Sequence, residues 1–466
     1  MSPLQNDVNR LGADSAASPA HLDALQRILD LPAVQQVVTA LGRSPRACPV
    51  VADTFALLFV LALGLFPTAS YRNVARRLLP ADQAATRLPS RATLAAARQR
   101  LGAEPLRLVA QHALRPLADP KTVPDAFYKG LRLLALDGFS LAVPDTAANA
   151  TLFGRHANQH GGSGYPGVRV VALLEAATHA TLDYELDAGT ASETVLAAPL
   201  LERLPPGNLL LWDRHFFSFD HLWRVRSRGC HVLGRLSKSV KPKLLQRLSD
   251  GSYLAEIRSG HRSRFGTRAR QQIRLLPYRL NDARRGEPSE VHRLFTTLLD
   301  EKAYPAKELI GLYHQRWEQE LANDEIKTHQ LQRPVLRSQT PAGVEQEVAA
   351  VLVAHHAVRR VMVEAAVQAG VPPVRLSFVG ALDVIATRLP GMSVATPQPL
   401  RLRRWYTALV AEVSREVLPE RRLRTNPRVV KCTRVKWPRK KAKGQEKPPQ
   451  PERPFAEVID LVVLTI

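Results

Sequence analysis

Two short apolar runs, each stopped by an aspartate, constrain this chain more than any other feature. LRLLALDG begins at Leu131 and reaches its acid at Asp137, and LLLWD ends at Asp213. Apolar runs of this length bounded by turn signals suit strands buried on both faces. A carboxylate closing such a run is costly to desolvate unless something binds it there. Between the two runs lie GVRVVALLEAA from Gly167 and ATLDYELDAG from Ala180, which read as a hairpin, then a helical stretch over 192–204 and a Pro205-Pro206-Gly207-Asn208 turn. Strand, hairpin, helix, strand is an α/β order.

A further strand is expected over 230–236, and residues 237–298 alternate polar and apolar positions around Tyr253, Phe265, Tyr278 and Phe295, the pattern of a mostly β insertion. One long helix is expected over 306–332, ended near Pro334, with further helices over 341–369 and 396–417. Upstream, residues 21–118 carry apolar residues three and four apart, the mark of helices. Two of these segments, SYRNVARRLL and SRATLAAARQRLG, open on a serine suited to cap a helix and carry arginines, Arg98 and Arg100 among them. They form a candidate DNA-binding module. The expected organisation is a flexible start (1–20), the helical module (21–118), an α/β catalytic domain (125–338) containing the insertion, a helical region (339–418), a basic tail (419–454) and an apolar end (455–466).

Charge narrows the partners. Sixty-five Lys and Arg against forty-two Asp and Glu give +23, more than solubility requires, so a polyanion and first of all nucleic acid is implied. The tail concentrates the effect, since residues 421–447 are rich in Arg, Lys and Pro and hold no acid before Glu446. FALLFVLALGLF over 55–66 is too short for a bilayer, which needs about 20 apolar residues, and is expected to be a buried core helix. No secretory signal is visible, so a cytoplasmic, nucleoid-associated protein without a membrane partner is expected. Cys48, Cys230 and Cys432 lack the spacing of a disulfide framework or a thiolate zinc site.

The chemistry centres on YHQRWEQELANDEIK. On a continuous helix at about 100° per residue, Tyr313, Arg316, Glu320 and Lys327 would fall within roughly 60° of one face. Such a stripe offers a carboxylate for a metal and cationic groups for phosphate oxygens on either side. With Asp137 and Asp213 it supplies three hard oxygen ligands, enough for two divalent ions, Mg²⁺ or Mn²⁺, when DNA completes their shells.

The Y-x2-R-x3-E-x6-K pattern, with Trp317 after the arginine, LDG at 136–138 and WDR at 212–214, resembles the insertion element four family of DDE transposases. LALGLFPTASYRNVARRL and SRATLAAARQRLGAEPL resemble that family's amino-terminal domain, so the likeness covers most of residues 20–370. It implies an RNase H-like catalytic core with a β insertion between the second aspartate and the glutamate. It also implies that Asp137, Asp213 and Glu320 are the catalytic and metal-binding triad, and that Tyr313, Arg316 and Lys327 contact the transposon end. The activity implied is metal-dependent cleavage at terminal inverted repeats and strand transfer into target DNA by a homodimer on DNA ends. A domesticated DNA-binding protein and a metal-dependent nuclease without strand transfer are the alternatives. The chain departs from the family in Gln319, in LAND at 321–324 where aromatics are common, and in His215. His156 and His160 have ligand-like spacing, but the glycines around them point to a loop. Asp324 is expected to be a solvated carboxylate pairing with Lys327, and Phe295 to lie in a core strand.

Overall fold

The computed structural model describes residues 37, 53–79, 88–155, 157–158, 161–162, 164–260, 263–282, 290–314, 316–389, 399–419 and 453–464. The amino-terminal 1–20 segment, His156, His160 and the basic 421–447 segment lie outside them. In chain order the helices and strands begin with α1 (Asp53–Leu65), α2 (Tyr71–Leu78), α3 (Arg91–Leu101), α4 (Glu104–Ala113), β1 (Phe127–Tyr128), β2 (Leu131–Ala142), α5 (Ala147–Phe153), β3 (Ala157–Asn158) and β4 (Gly161–Gly162). Then come β5 (Gly167–Glu175), β6 (Ala180–Ala188), α6 (Glu193–Glu202), β7 (Asn208–Trp212), α7 (Phe219–Ser227), β8 (His231–Arg235), β9 (Lys243–Arg247), β10 (Tyr253–Arg258), β11 (Arg270–Leu280) and β12 (His292–Thr296). The chain continues through α8 (Ala306–His314), α9 (Trp317–Asp324), a π-helical turn (Glu325–Gln330), α10 (Pro341–Ala369), α11 (Phe378–Arg388), α12 (Pro399–Val413) and β13 (Ile459–Leu461). The architecture is α/β with a helical amino-terminal region, and it divides into two compact units: residues 1–200 with 317–418, and 201–316 with 419–466.

In the first unit, α1 carries no polar side chain from Phe55 onward, and Leu57 through Ala62 are all at most 1% exposed. Each leucine so buried is worth about 1.5–3 kcal/mol, so a helix apolar all round settles inside a core. It packs on α10, 29 residues long, capped by Thr340 at its start and by left-handed Gly370 (φ 66°) at its end. At their crossing a Cβ on Gly64 would lie 2.2 Å from the Ala350 carbonyl oxygen, so only glycine permits that approach. Ser70 and Ser90 cap α2 and α3 as the sequence suggests, accepting bonds from Asn73 N and Thr93 N. Among the described residues no helix is long and apolar enough to cross a membrane.

The same unit holds an antiparallel β6-β5-β2 arrangement, with β1 folded back on β2 and Asp137 opposite Ala172 of β5. Side chains alternate along a strand, so Asp137 shares a face with Phe139 and Leu141. Those two pack in a cluster with Val168 and Val170 of β5, Phe153 of α5, Ile326 of the π turn and Val348, Val351 and Leu352 of α10.

The second unit contains a parallel β7-β8 pair followed by β12, β11, β10 and β9, all antiparallel, the last four lying within the 237–298 stretch expected to be mostly β. Every residue of β7 is buried, and Phe295 is a fully buried strand residue on β12. A Cβ on Gly234 of β8 would fall 2.3 Å from the Trp212 ring, so glycine lets the indole lie over the sheet. Strand β13, from the apolar end of the chain, pairs antiparallel with β11.

One expectation fails in form. Residues 306–332 are not a continuous α-helix: a turn at Arg316, whose amide bonds to Tyr313 O, separates α8 from α9, and Glu325–Gln330 is π-helical, with Leu331 N bonded to Ile326 O at 3.0 Å. The stripe from Tyr313 to Lys327 is therefore divided over two helices and a wider turn. Helix α11, capped by Ser377, is an element that the sequence pattern does not announce.

Candidate active site

Asp137 is half-buried near the middle of β2. Helix α9 packs against this strand, and Asn323 on α9 donates from Nδ2 to Asp137 Oδ2 at 2.9 Å. Glu320 is half-buried on the same helix, three residues before Asn323 and hence on a neighbouring part of one helix face. The first unit thus brings Asp137 and the Glu320 helix together through Asn323. Asn323 Oδ1 is buried and accepts no hydrogen bond among the described residues, leaving a bare oxygen acceptor beside a carboxylate. A Cβ on Gly138 of the LDG triplet would lie 2.6 Å from the carboxyl carbon of Glu193, which pairs with Arg169, so that side chain would have to shift.

Asp213 belongs to the second unit. It follows the last residue of β7, is half-buried, and accepts a hydrogen bond at 2.6 Å from the amide of Arg214, capping a short 3-10 turn. Tyr313 on α8 donates its hydroxyl to the carbonyl of Trp212 at 3.2 Å, immediately before Asp213. Burial, with the negative charge of Asp213, pushes the Tyr313 phenol up, against the opposing pull of Arg316. Its hydroxyl is a stable donor at neutral pH. The Arg316 guanidinium lies 5.9 Å from the centre of the Tyr313 ring. Within each unit, no group of three or more His, Cys, Asp or Glu side chains is gathered to hold a metal among the described residues.

Two comparisons carry weight. Residues 128–356 match the family model described as a transposase DDE domain, and residues 19–111 match that of the insertion element 4 transposase N-terminal region. Over 356 residues, 75% of this chain and 78% of the other, it is 32% identical to the transposase InsG for insertion sequence element IS4 of Escherichia coli (strain K12). The chain belongs to the insertion element 4 family of DDE transposases. It is also 32% identical over 179 residues to the putative transposase InsZ of the same organism, covering 37% of this chain and 60% of that one. Among solved structures, a piggyBac transposase synaptic complex with hairpin DNA aligns over 87% of this chain and 88% of that one, at 10% identity and a TM-score of 0.40.

As a member of that family the protein is a DNA transposase, an enzyme of DNA cleavage and strand transfer that depends on divalent metal and binds DNA. Asp137, Asp213 and Glu320 all fall within the matched DDE region. Lys327 is exposed on the π turn. Arg100 is partly exposed and paired with Asp53 at 3.0 Å.

Arg98 requires a correction. It is 5% exposed, and its guanidinium bonds to Gln346 Oε1 at 2.7 Å, Tyr71 Oη at 2.6 Å, Ser338 Oγ at 2.7 Å and the Gly343 carbonyl. With its donors so engaged inside the fold, Arg98 ties α3 to α10 and is withdrawn as a DNA contact. Asp324 accepts from Thr328 and pairs with His329 at 3.6 Å.

Sequence reasoning misses a buried polar cluster behind α9, made of Glu325, His179, His355 and Arg359. Its signal is present in VLVAHHAVRRV of α10, where polar residues interrupt an otherwise apolar stretch. Asn323 is missed as well, although it stands in LAND, where the chain departs from the family.

Proposed function

We propose that Asp137, Asp213 and Glu320 are the catalytic carboxylates of this transposase and that they hold magnesium, with manganese as a substitute. The observation carrying the reading is the Asn323–Asp137 hydrogen bond, because it links the first aspartate to the helix bearing the glutamate. The donor set fits a hard cation: carboxylate oxygens, with the buried Asn323 Oδ1 as a further neutral oxygen next to Asp137. Two such ions, when bound, would supply activation of the attacking oxygen and stabilisation of the leaving one.

The remaining work belongs to the chain itself. Asn323 fixes the direction of the Asp137 carboxylate, and the Tyr313 bond to the Trp212 carbonyl fixes the strand end that presents Asp213. Arg316 and Lys327 grip phosphate oxygens of the transposon end, the first as a planar fork and the second as a point charge. Arg100 adds charge from the helical module. Residues 125–338 form the catalytic region, and two copies act together, one on each terminal inverted repeat, on DNA in the nucleoid.

Replacing Asp137 or Asp213 with Asn, or Glu320 with Gln, should reduce cleavage of a duplex carrying the terminal repeat to background while the repeat is still bound. Cleavage at the normal rate by any one of the three variants removes that residue from the triad. Sedimentation of the protein on a repeat duplex should give two chains per pair of ends; a single chain throughout would rule out the homodimer.

A further inference from the structure

The buried cluster behind α9 ties that helix to α10 and to the β5–β6 turn. Arg359 reaches Glu325 through Nε at 2.9 Å and through its terminal nitrogen, which also lies 2.6 Å from His179 Nδ1. The same Nδ1 is 3.0 Å from Glu325 Oε1, so the ring is held between the Arg359 guanidinium and the Glu325 carboxylate. The other ring nitrogen, Nε2, pairs with Glu318 Oε2 on α9 at 3.0 Å. His355 bonds to Glu325 from Nε2 at 3.0 Å, and burial lowers its pKa.

Three features single out His179. It is 1% exposed, it occupies the β5–β6 turn, and its backbone lies at φ 57°, where side chains other than glycine are strained. Glycine would suit that backbone better, so the imidazole is what the position retains. Moreover, His179 contacts both Glu318 and Glu325, seven residues apart and hence on nearly one side of a helix at about 100° per residue. Glu320 is two residues from Glu318, about 200° round the axis, so the contacts grip the side of α9 turned away from Glu320.

We propose that His179 is a positioning residue for DNA cleavage: through Glu318 at the start of α9 and the Glu325–Arg359 pair just past its end, it sets the rotation at which α9 presents Glu320 to metal. The proposal rests on the reading of Glu320 as a metal ligand. A hydrogen-bonded support behind a ligand usually contributes about ten- to a hundredfold in metal affinity or activity.

The test uses the full chain with a terminal-repeat duplex and Mn²⁺ as the probe. His179→Gly removes the imidazole while easing the backbone, Glu318→Ala removes the acceptor, and Glu318→Gln retains an acceptor oxygen. His179→Gly and Glu318→Ala should each raise the Mn²⁺ concentration for half-maximal cleavage about tenfold or more, and weaken Mn²⁺ binding followed by electron paramagnetic resonance to the same degree. Repeat binding and the melting temperature should stay near those of the unaltered protein, and Glu318→Gln should recover most of the loss. An unchanged Mn²⁺ dependence in both damaging variants overturns the proposal. So does a loss confined to melting temperature and repeat binding, which would make the cluster a stabiliser of the fold alone. Glu318→Gln as damaging as Glu318→Ala would instead make Glu318 a ligand and likewise overturn it. Glu320→Gln reports separately on the reading beneath: if it binds Mn²⁺ normally, Glu320 is no ligand, whatever the other variants do.

Discussion

The two aspartates are held in opposite ways. Asp137 lies within a long strand and receives its hydrogen bond from Asn323, a side chain 186 positions away in sequence, on a helix itself braced by a buried ion pair. Asp213 follows a five-residue strand and its carboxylate is held locally, by the next amide, while Tyr313, 101 positions from Trp212, engages only the strand carbonyl before it. Local geometry survives wherever the strand forms, whereas a distant amide is correct only when a whole layer packs correctly. The Asp137 side should therefore be the more fragile of the two.

The largest effect expected within this comparison is at Asn323. Asn323→Ala should lower repeat cleavage about ten- to a hundredfold without loss of repeat binding, as removal of a ligand's hydrogen-bonded partner does. A loss smaller than that of Tyr313→Phe, measured in the same cleavage assay, would invert the order of fragility.

Acid should separate the two regions next. His356 is buried on α10 and bonded through Nδ1 to the Thr181 carbonyl at 3.0 Å, and burial first, then Arg360, pushes its pKa down to about 3. Unfolded, a histidine takes up its proton near about pH 6.5, so between that pH and about 3 the unfolded chain binds more protons. Stability is complete above the upper value and falls on acidification, with a slope of up to about 1.4 kcal/mol per pH unit from this one group. Glu325 adds to the loss at lower pH. Burial alone would raise its pKa, but Arg359 and the two histidines hold it well below the usual carboxylate range, so its contribution disappears as pH falls through that depressed value. Hydrogen exchange on lowering the pH from 7 to 5 should accelerate in α9 and α10 before β7 and β8. His356→Gln should flatten the accompanying fall in the urea midpoint; an undiminished fall would place its source elsewhere.

A smaller change is expected from Tyr313→Phe, which deletes one bond to a carbonyl and should cost about 1 kcal/mol of stability with a few-fold slower cleavage. The smallest is at Arg316, where Arg316→Ala should weaken repeat binding and reduce the slope of log affinity against log salt by about one for each phosphate that the side chain neutralises. An unchanged slope would remove Arg316 from the DNA interface.

This asymmetry also explains what the sequence discloses. Strands β2, β5, β6, β7 and β8 are legible because they are apolar runs between turn signals, and the insertion because its residues alternate. Asp137 and Asp213 are legible as carboxylates closing apolar runs, and Glu320 as the acid of the pattern from Tyr313 to Lys327. The breaks on either side of α9 are not, since no Gly or Pro lies between His314 and Gln332 to announce them. The π turn begins at Glu325, which is bound to Arg359 on another helix, so it depends on a partner 34 positions away that no local window contains. Arg98 misleads for the converse reason: an arginine on a helix looks solvated until the distant Gln346 and Ser338 are seen to enclose it.

Strand β13 changes how the basic 421–447 segment should be handled. Because Ile459–Leu461 pairs with β11 and the Leu464 amide bonds to Tyr253 Oη at 2.7 Å, the chain beyond that segment is stitched into a sheet. In sequence the positive charge therefore precedes a strand of that sheet. A stop codon before Arg421 would remove a sheet strand along with the charge, confounding the two, whereas shortening the span internally or exchanging its lysines for glutamines would isolate the electrostatic part.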